Sequence, residues 1–252
     1  MDISKKDKIH TLLKGIETGD PAAASVVNEN KYIQHNPLTP TGNIGLAELF
    51  KRLSQTSPQV DIVRIFEDGD FVFAHTNYDF NVLEIGFEVF RFEDGLAVEH
   101  WDNLQLKPEH PNQSGHTMID GPTEATDHDQ TEANRAFINT YVKEILIESE
   151  LEKLNHFVDT DYTEHNPERA DGLMSLLESF RNNSENKRYD TLHRVLAEGS
   201  FVLSIGEGSL DGVHTSFYDL FRLSSDRKIV EHWDTIDMIP PRTEWKNNNG
   251  KF

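Results

Sequence analysis

The chain contains no cysteine. Disulfide stapling, thiolate metal sites, iron–sulfur clusters and cysteine nucleophiles are therefore excluded. Long hydrophobic runs are missing too: the longest is Phe71-Val72-Phe73-Ala74, whereas a membrane-spanning helix needs about 20 apolar residues. The opening MDISKKDKIH has no apolar stretch of the kind a secretory leader carries, so the cytoplasm is the expected compartment. Positive charge is scarce. Lys and Arg number 24 against 44 Asp and Glu, a net charge of −20, divided as −10 in residues 1–126 and −10 in 127–252. Without a basic stripe to neutralise phosphates, neither nucleic acid nor an anionic membrane surface is an expected partner. There is no glycine-rich phosphate loop either, so no organic cofactor is expected.

What is present suffices for a core: 15 Phe, 6 Tyr and 3 Trp among 252 residues. An internal repeat organises them. Tyr32-Ile33-Gln34-His35-Asn36-Pro37 returns as Tyr162-Thr163-Glu164-His165-Asn166-Pro167, offset by 130. Gly69-Asp70-Phe71-Val72 returns as Gly199-Ser200-Phe201-Val202 at the same offset, and Phe90-Arg91-Phe92 as Phe221-Arg222-Leu223 at 131. Val98-Glu99-His100-Trp101-Asp102 returns as Val230-Glu231-His232-Trp233-Asp234 at 132. Solenoid units span roughly 20–50 residues, so this period denotes a duplicated domain. The boundary is expected in the polar stretch 107–129, punctuated by Pro108, Pro111, Gly115, Gly121 and Pro122, giving domains 1–120 and 121–252. Residues 240–252 read as a tail.

Each copy reads as helices followed by strands. Asp20-Pro21 is a helix start. Leu46, Leu49, Phe50 and Leu53 share one helix face, as do Leu173, Leu176, Leu177 and Phe180. Asp127 with Gln130, or Asp129 with Glu132, could cap a helix through Phe137, Tyr141 and Ile145. Strands are predicted near 59–66, 70–80, 84–92 and 97–106, and again near 188–197, 200–207, 213–223 and 228–238. The fold class is α+β, with helices packed on one face of an antiparallel sheet.

Strand alternation selects the candidate site. Glu88 shares a face with Phe90 and Phe92, and Asp219 with Phe221 and Leu223; a carboxylate on an apolar face suits acid–base chemistry. The competing structural reading is a carboxylate paired with Arg91 or Arg222. On the last strand His100 and Asp102 face one way, as do His232 and Asp234, either as hydrogen-bonded structural pairs or as site members. Trp101 and Trp233 face the other way, as core. His35 and His165 sit between helices, in a turn shaped by Asn-Pro or pointing into the cavity. His75 has Ile205 as its counterpart. His35, His75, Glu88 and His100 could together ligate a metal, but no two stand at a close motif spacing, so no metal is assigned.

These residues in this order resemble the SnoaL-like branch of the NTF2-like superfamily: Tyr-x-x-His-Asn-Pro, a central helix, a turn before Phe-Val, an acid two residues before Phe-Arg, and Glu-His-Trp-Asp. The resemblance covers about 105 residues of each copy. It implies two tandem NTF2-like cones, each a curved, mostly antiparallel sheet wrapped around helices with a pocket inside. It also implies a small-molecule lyase or isomerase of the polyketide-cyclase-like, aldol type. There Asp219-Leu220-Phe221-Arg222 matches the acid-bearing segment, and Glu88-Val89-Phe90-Arg91 differs from it by one methylene. Glu88 or Asp219 would take a proton beside a carbonyl; His35, His75, His100 and Asp102, or His165, His232 and Asp234, would assist. The alternative is a non-catalytic module binding a small hydrophobic molecule. The duplication would fuse a pseudo-twofold dimer into one chain, which could pair again as a homodimer.

Overall fold

The computed structural model describes residues 3–182 and 186–252, apart from the side chains of 43 and 44. It divides into two compact units: residues 1–106 with 239–252, and residues 107–238. The division differs from a cut at 120 in an instructive way. The polar stretch after the first copy's last strand belongs to the second unit, and the expected tail belongs to the first. Both are tied down by hydrogen bonds described below.

In unit 1, helix α1 (Lys5–Thr18) begins at Ser4, whose hydroxyl accepts from the Asp7 amide, and ends at Gly19 in the left-handed region. The Asp20-Pro21 start produces a short 3-10 turn, Pro21–Val26, with the Asp20 carboxylate accepting from the Ala22 amide. Strand β1 (Ile33–Gln34) and helix α2 (Gly42–Ser54) follow, then β2 (Gln59–Asp68), β3 (Phe71–Asp79), β4 (Leu83–Glu93) and β5 (Leu96–Leu106). The sheet order is β1-β5-β4-β3-β2; β1 runs parallel to β5 and all other pairs are antiparallel. The four long strands lie close to the ranges predicted from the sequence. Register shifts at Ile62/Arg64 and Arg91/Phe92 bend the sheet.

Unit 2 repeats the plan. Helix α3 (Thr131–Tyr141) runs on into a π-turn, Val142–Ile147. Asp127 is in the left-handed region and no side chain caps α3, so the expected caps do not form. Then come α4 (Leu154–Phe157), β6 (Val158–Glu164), α5 (Leu173–Asn182), β7 (Arg188–Glu198), β8 (Phe201–Leu210), β9 (Val213–Leu223) and β10 (Ile229–Met238). The order is β6-β10-β9-β8-β7, with β6 parallel to β10. Both units are α+β with mixed, mostly antiparallel five-stranded sheets.

In each unit one sheet face is covered by the helices. In unit 1, Val72, Ala74, Tyr78, Phe90 and Phe92 pack with Ile9, Leu12, Leu13 and Ile16 of α1 and with Leu46 and Phe50 of α2. The opposite face carries Phe66, Phe73, Phe87 and Trp101, all buried. Among the described residues no helix is long and apolar enough to cross a membrane.

Candidate functional site

In unit 1 the helix-covered face holds a polar chain. Glu88 on β4 stands directly across from Asp102 on β5, and Phe90 across from His100. The register therefore gathers Glu88, His100 and Asp102 on one face. His100 Nε2 lies 2.6 Å from Glu88 Oε2 and its Nδ1 lies 3.1 Å from Gln34 Oε1. Tyr78 donates its hydroxyl to Glu88 Oε1 at 2.8 Å. Asn36 donates to Asp102 Oδ2 at 2.7 Å. All of these side chains are buried or, for Asn36, half-buried. The chain borders a cavity of about 380 Å³ whose walls are mostly apolar, among them Leu12, Ile16, Leu46, Phe50, Phe90 and Leu104. Tyr32 lines the same cavity, and its buried hydroxyl has no hydrogen-bond partner among the described residues. Burial, then the charges of Glu88 and Asp102, raise that phenol well above its ordinary pKa, so it keeps its proton and can only donate or accept as a neutral group.

Unit 2 places the same types of group differently. His232 stands between two carboxylates, with Nδ1 2.8 Å from Glu164 Oε1 and Nε2 3.2 Å from Asp219 Oδ1. Glu164 occupies the place of Gln34. Burial opposes the imidazolium, but the Glu164 charge and the bonds to Asp219 and Glu164 outweigh it and push His232 up to about 10. Glu164 is held well below the usual carboxylate range, because the charge and hydrogen bond of His232 and the charge of Arg169 outweigh its burial. Asp219 is lowered as well: burial is overcome by its bond to His232 and the charge of Lys187. Arg169, where unit 1 has Thr39, lies 3.6 Å from Glu164. The Tyr162 hydroxyl, equivalent to the unpartnered one of Tyr32, donates to Glu164 Oε2 at 2.8 Å. Asn166 donates to both oxygens of Asp234 at 2.8 Å. The space beside Asp219 and His232 is only about 10 Å³. A larger cavity of about 430 Å³ reaches Arg169, Lys187 and Tyr189 but neither Asp219 nor His232.

Three expected members lie elsewhere. His35 stacks on Trp101 with ring centroids 4.6 Å apart, and its ring nitrogens lie 3.0 Å from Glu99 Oε1 and from the Gly250 carbonyl. Burial lowers its pKa despite Glu99. His165 repeats this on Trp233, with Glu231 at 2.8 Å and the Thr117 carbonyl at 2.8 Å. Trp101 and Glu99 alternate with His100, so both histidines lie on the face away from the cavity. His75 is fully buried against Phe87 with Nδ1 2.7 Å from Arg64. Its neighbour Ala74, which pairs with Glu88, is the residue on the helix-covered face. The metal set His35, His75, Glu88 and His100 is thus not assembled.

Among the described residues, the sets that do bring ligand-type atoms within 4.8 Å are Glu88, His100, Asp102; Asp219, His232, Asp234; and His116, Asp120, His165. Direct hydrogen bonds already join Glu88 to His100 and Asp219 to His232. Tyr32, Tyr78, Gln34 and Asn36 are site members that alternation did not single out, although three of them stand in the repeated Tyr-x-x-His-Asn-Pro segment.

No known family profile matches the chain, and no curated protein matches it. Solved structures do. An NTF2-like protein from Cytophaga hutchinsonii is 16% identical, with 42% of this chain and 93% of that one covered at a TM-score of 0.36. A steroid delta-isomerase from Pseudomonas aeruginosa is 17% identical, covering 45% and 87% at 0.37. IdmH from Streptomyces antibioticus, a proposed polyketide cyclase, is 18% identical, covering 39% and 90% at 0.35. Each spans roughly two fifths of the chain.

Proposed function

We propose that unit 1 is a small-molecule isomerase, lyase or cyclase acting on an apolar carbonyl compound, with Glu88 as the proton acceptor beside the carbonyl. One observation carries this reading: a buried carboxylate, already linked to His100 and Tyr78, borders a mostly apolar cavity of about 380 Å³ in which the Tyr32 hydroxyl has no partner among the described residues. Glu88 would take a proton from the carbon next to the carbonyl, with His100 sharing the charge change across their 2.6 Å contact. The Tyr32 hydroxyl would donate to the oxygen as it gains negative charge. The mostly apolar wall strengthens both effects by lowering the local dielectric. No cofactor is needed for this step.

Unit 2 supports a different reading, a non-catalytic one. Its carboxylates are ion-paired, the Tyr162 and Tyr189 hydroxyls are taken up by Glu164 and Asp219, and almost no space adjoins Asp219 and His232.

The test uses 2-tetralone, a bicyclic ketone with acidic protons beside its carbonyl. Exchange of those protons in D₂O is followed by proton NMR. The full chain should accelerate exchange, Glu88→Gln should lose about 10²–10⁴-fold of that acceleration, and Asp219→Asn should keep it. Equal exchange with and without Glu88, or no acceleration at all, overturns the reading.

A further inference from the structure

Two polar segments, each distant in sequence from the turn it grips, end up in equivalent places of the two units. In unit 1 the Asn247 side chain donates to the carbonyls of Asn36 and Thr39 at 2.7 and 2.9 Å, and Asn249 donates to that of Gln34 at 2.9 Å. The Lys246 amide donates to the Pro37 carbonyl at 2.7 Å. In unit 2 Asn112 donates to the carbonyls of Glu164 and Asn166 at 2.7 and 3.4 Å. Asn112 and Asn247 each fold their own carbonyl oxygen back onto the amide two residues on, and Gly115 and Gly250 follow with φ of 90° and 89°. Asn-x-x-Gly is therefore a further repeated element, at an offset of 135. Both copies grip the Tyr-x-x-His-Asn-Pro segment from which Tyr32, Gln34 and Asn36 reach the cavity.

The strap of unit 1 also delivers a charge. Lys251 is 4% exposed; its Nζ donates to the Asp102 carbonyl at 2.8 Å and lies 3.6 Å from Asp102 Oδ1. In unit 2 the residue at this place, His116, turns to Asp171 instead. The equivalent carboxylate, Asp234, still faces an ammonium, that of Lys187 at 3.9 Å, brought from the segment leading into β7. One carboxylate per unit is thus held between an asparagine and a lysine, although the two lysines come from unrelated positions.

We propose that segment 239–252 is the closing wall of the unit 1 site and that Lys251 is its positioning residue, fixing Asp102 and through it Asn36 and the turn that carries Tyr32 and Gln34. The proposal rests on the unit 1 cavity being the working site, and it predicts that an enol-like ligand binds there only with the strap seated.

The probe is 2-naphthol, whose hydroxyl and fused rings imitate the enol of the ketone above, titrated by its own fluorescence against the full chain. Lys251→Met should weaken binding about tenfold or more, Lys251→Arg should restore it to within about threefold, and Asn249→Ala, a milder release of the same strap, should weaken it by about threefold. Equal binding by Lys251→Met and the unaltered chain overturns the role of Lys251. Failure of the unaltered chain to bind 2-naphthol overturns the functional reading instead. The strap is then judged by amide hydrogen exchange. Loss of protection at residues 33–41 in Lys251→Met, regained in Lys251→Arg, supports it, and unchanged protection overturns it.

Discussion

Tyr189 donates its hydroxyl to Asp219 Oδ1 at 2.9 Å from the strand position that Val60 occupies in unit 1. In unit 1 the bond to the equivalent acid, Glu88, comes from Tyr78 on the next strand, where unit 2 has Gly208. The exchange is mutual. A side chain at 208 would collide with the Arg188 carbonyl and approach the Tyr189 backbone, so the glycine leaves room for the relocated tyrosine. A buried acid bonded to a phenol is present in both units by different routes.

Removing either phenol should therefore have similar effects. Tyr78→Phe and Tyr189→Phe each leave a buried carboxylate oxygen short of a donor and should each cost about 1–3 kcal/mol. Denaturant unfolding checks this. A cost confined to one unit would show that the two bonds are not equivalent.

Glu164 and Gln34 should account for the difference between the sites. Gln34→Glu places a carboxylate beside His100 and two residues from Tyr32, as Glu164 stands to His232 and Tyr162 in unit 2. It should abolish 2-tetralone exchange. The converse change, Glu164→Gln, should lower the His232 pKa from about 10 by one unit or more, because the leading favourable charge is removed. Imidazole NMR titration reads it directly.

Stability of unit 2 should depend on pH with a definite sign. The His232 pKa is raised on folding from 6.5 to about 10. Its contribution is full below pH 6.5 and is lost as pH climbs toward 10, with a slope of up to about 1.4 kcal/mol per pH unit. Glu164 and Asp219 are lowered, so their contributions are present above about pH 4.5 and 3.8 and fade as pH falls. Amide exchange in Val213–Leu223 should accelerate between pH 7 and 9 beyond the intrinsic rate, and His232→Gln should remove the excess.

His75 should be dispensable for chemistry. It lies on the face away from the cavity, and unit 2 has Ile205 across from Arg194 where unit 1 has His75 across from Arg64. His75→Ile should keep exchange within about threefold while changing stability by about 1–3 kcal/mol, since a buried hydrogen bond is removed. Loss of exchange without loss of folding would return His75 to the site.

The long strands were legible because each is a run of nine or more residues rich in β-branched and aromatic side chains and bounded by turn residues, and because two copies give the same reading at a fixed offset. Glu88, His100 and Asp102 followed, since register on β4 and β5 is a matter of counting by twos. His35 was misplaced because β1 is two residues long, too short to show which of Gln34 and His35 faces inward. Tyr78 and Tyr189 escaped notice because they do not align. The straps escaped because Asn, Gly and Lys in an irregular segment have no periodicity; their hydrogen bonds go to carbonyl groups, which any sequence supplies.

The straps also order events in time. Unit 2 has its own strap, residues 107–121, in hand before its sheet is made. Unit 1 finishes its sheet at Leu106 and then waits for residues 239–252. At about 5–20 residues per second that gap is on the order of ten seconds of synthesis. During it the Tyr32–Asn36 turn and Asp102 stand without their partners. The half made first is the half completed last.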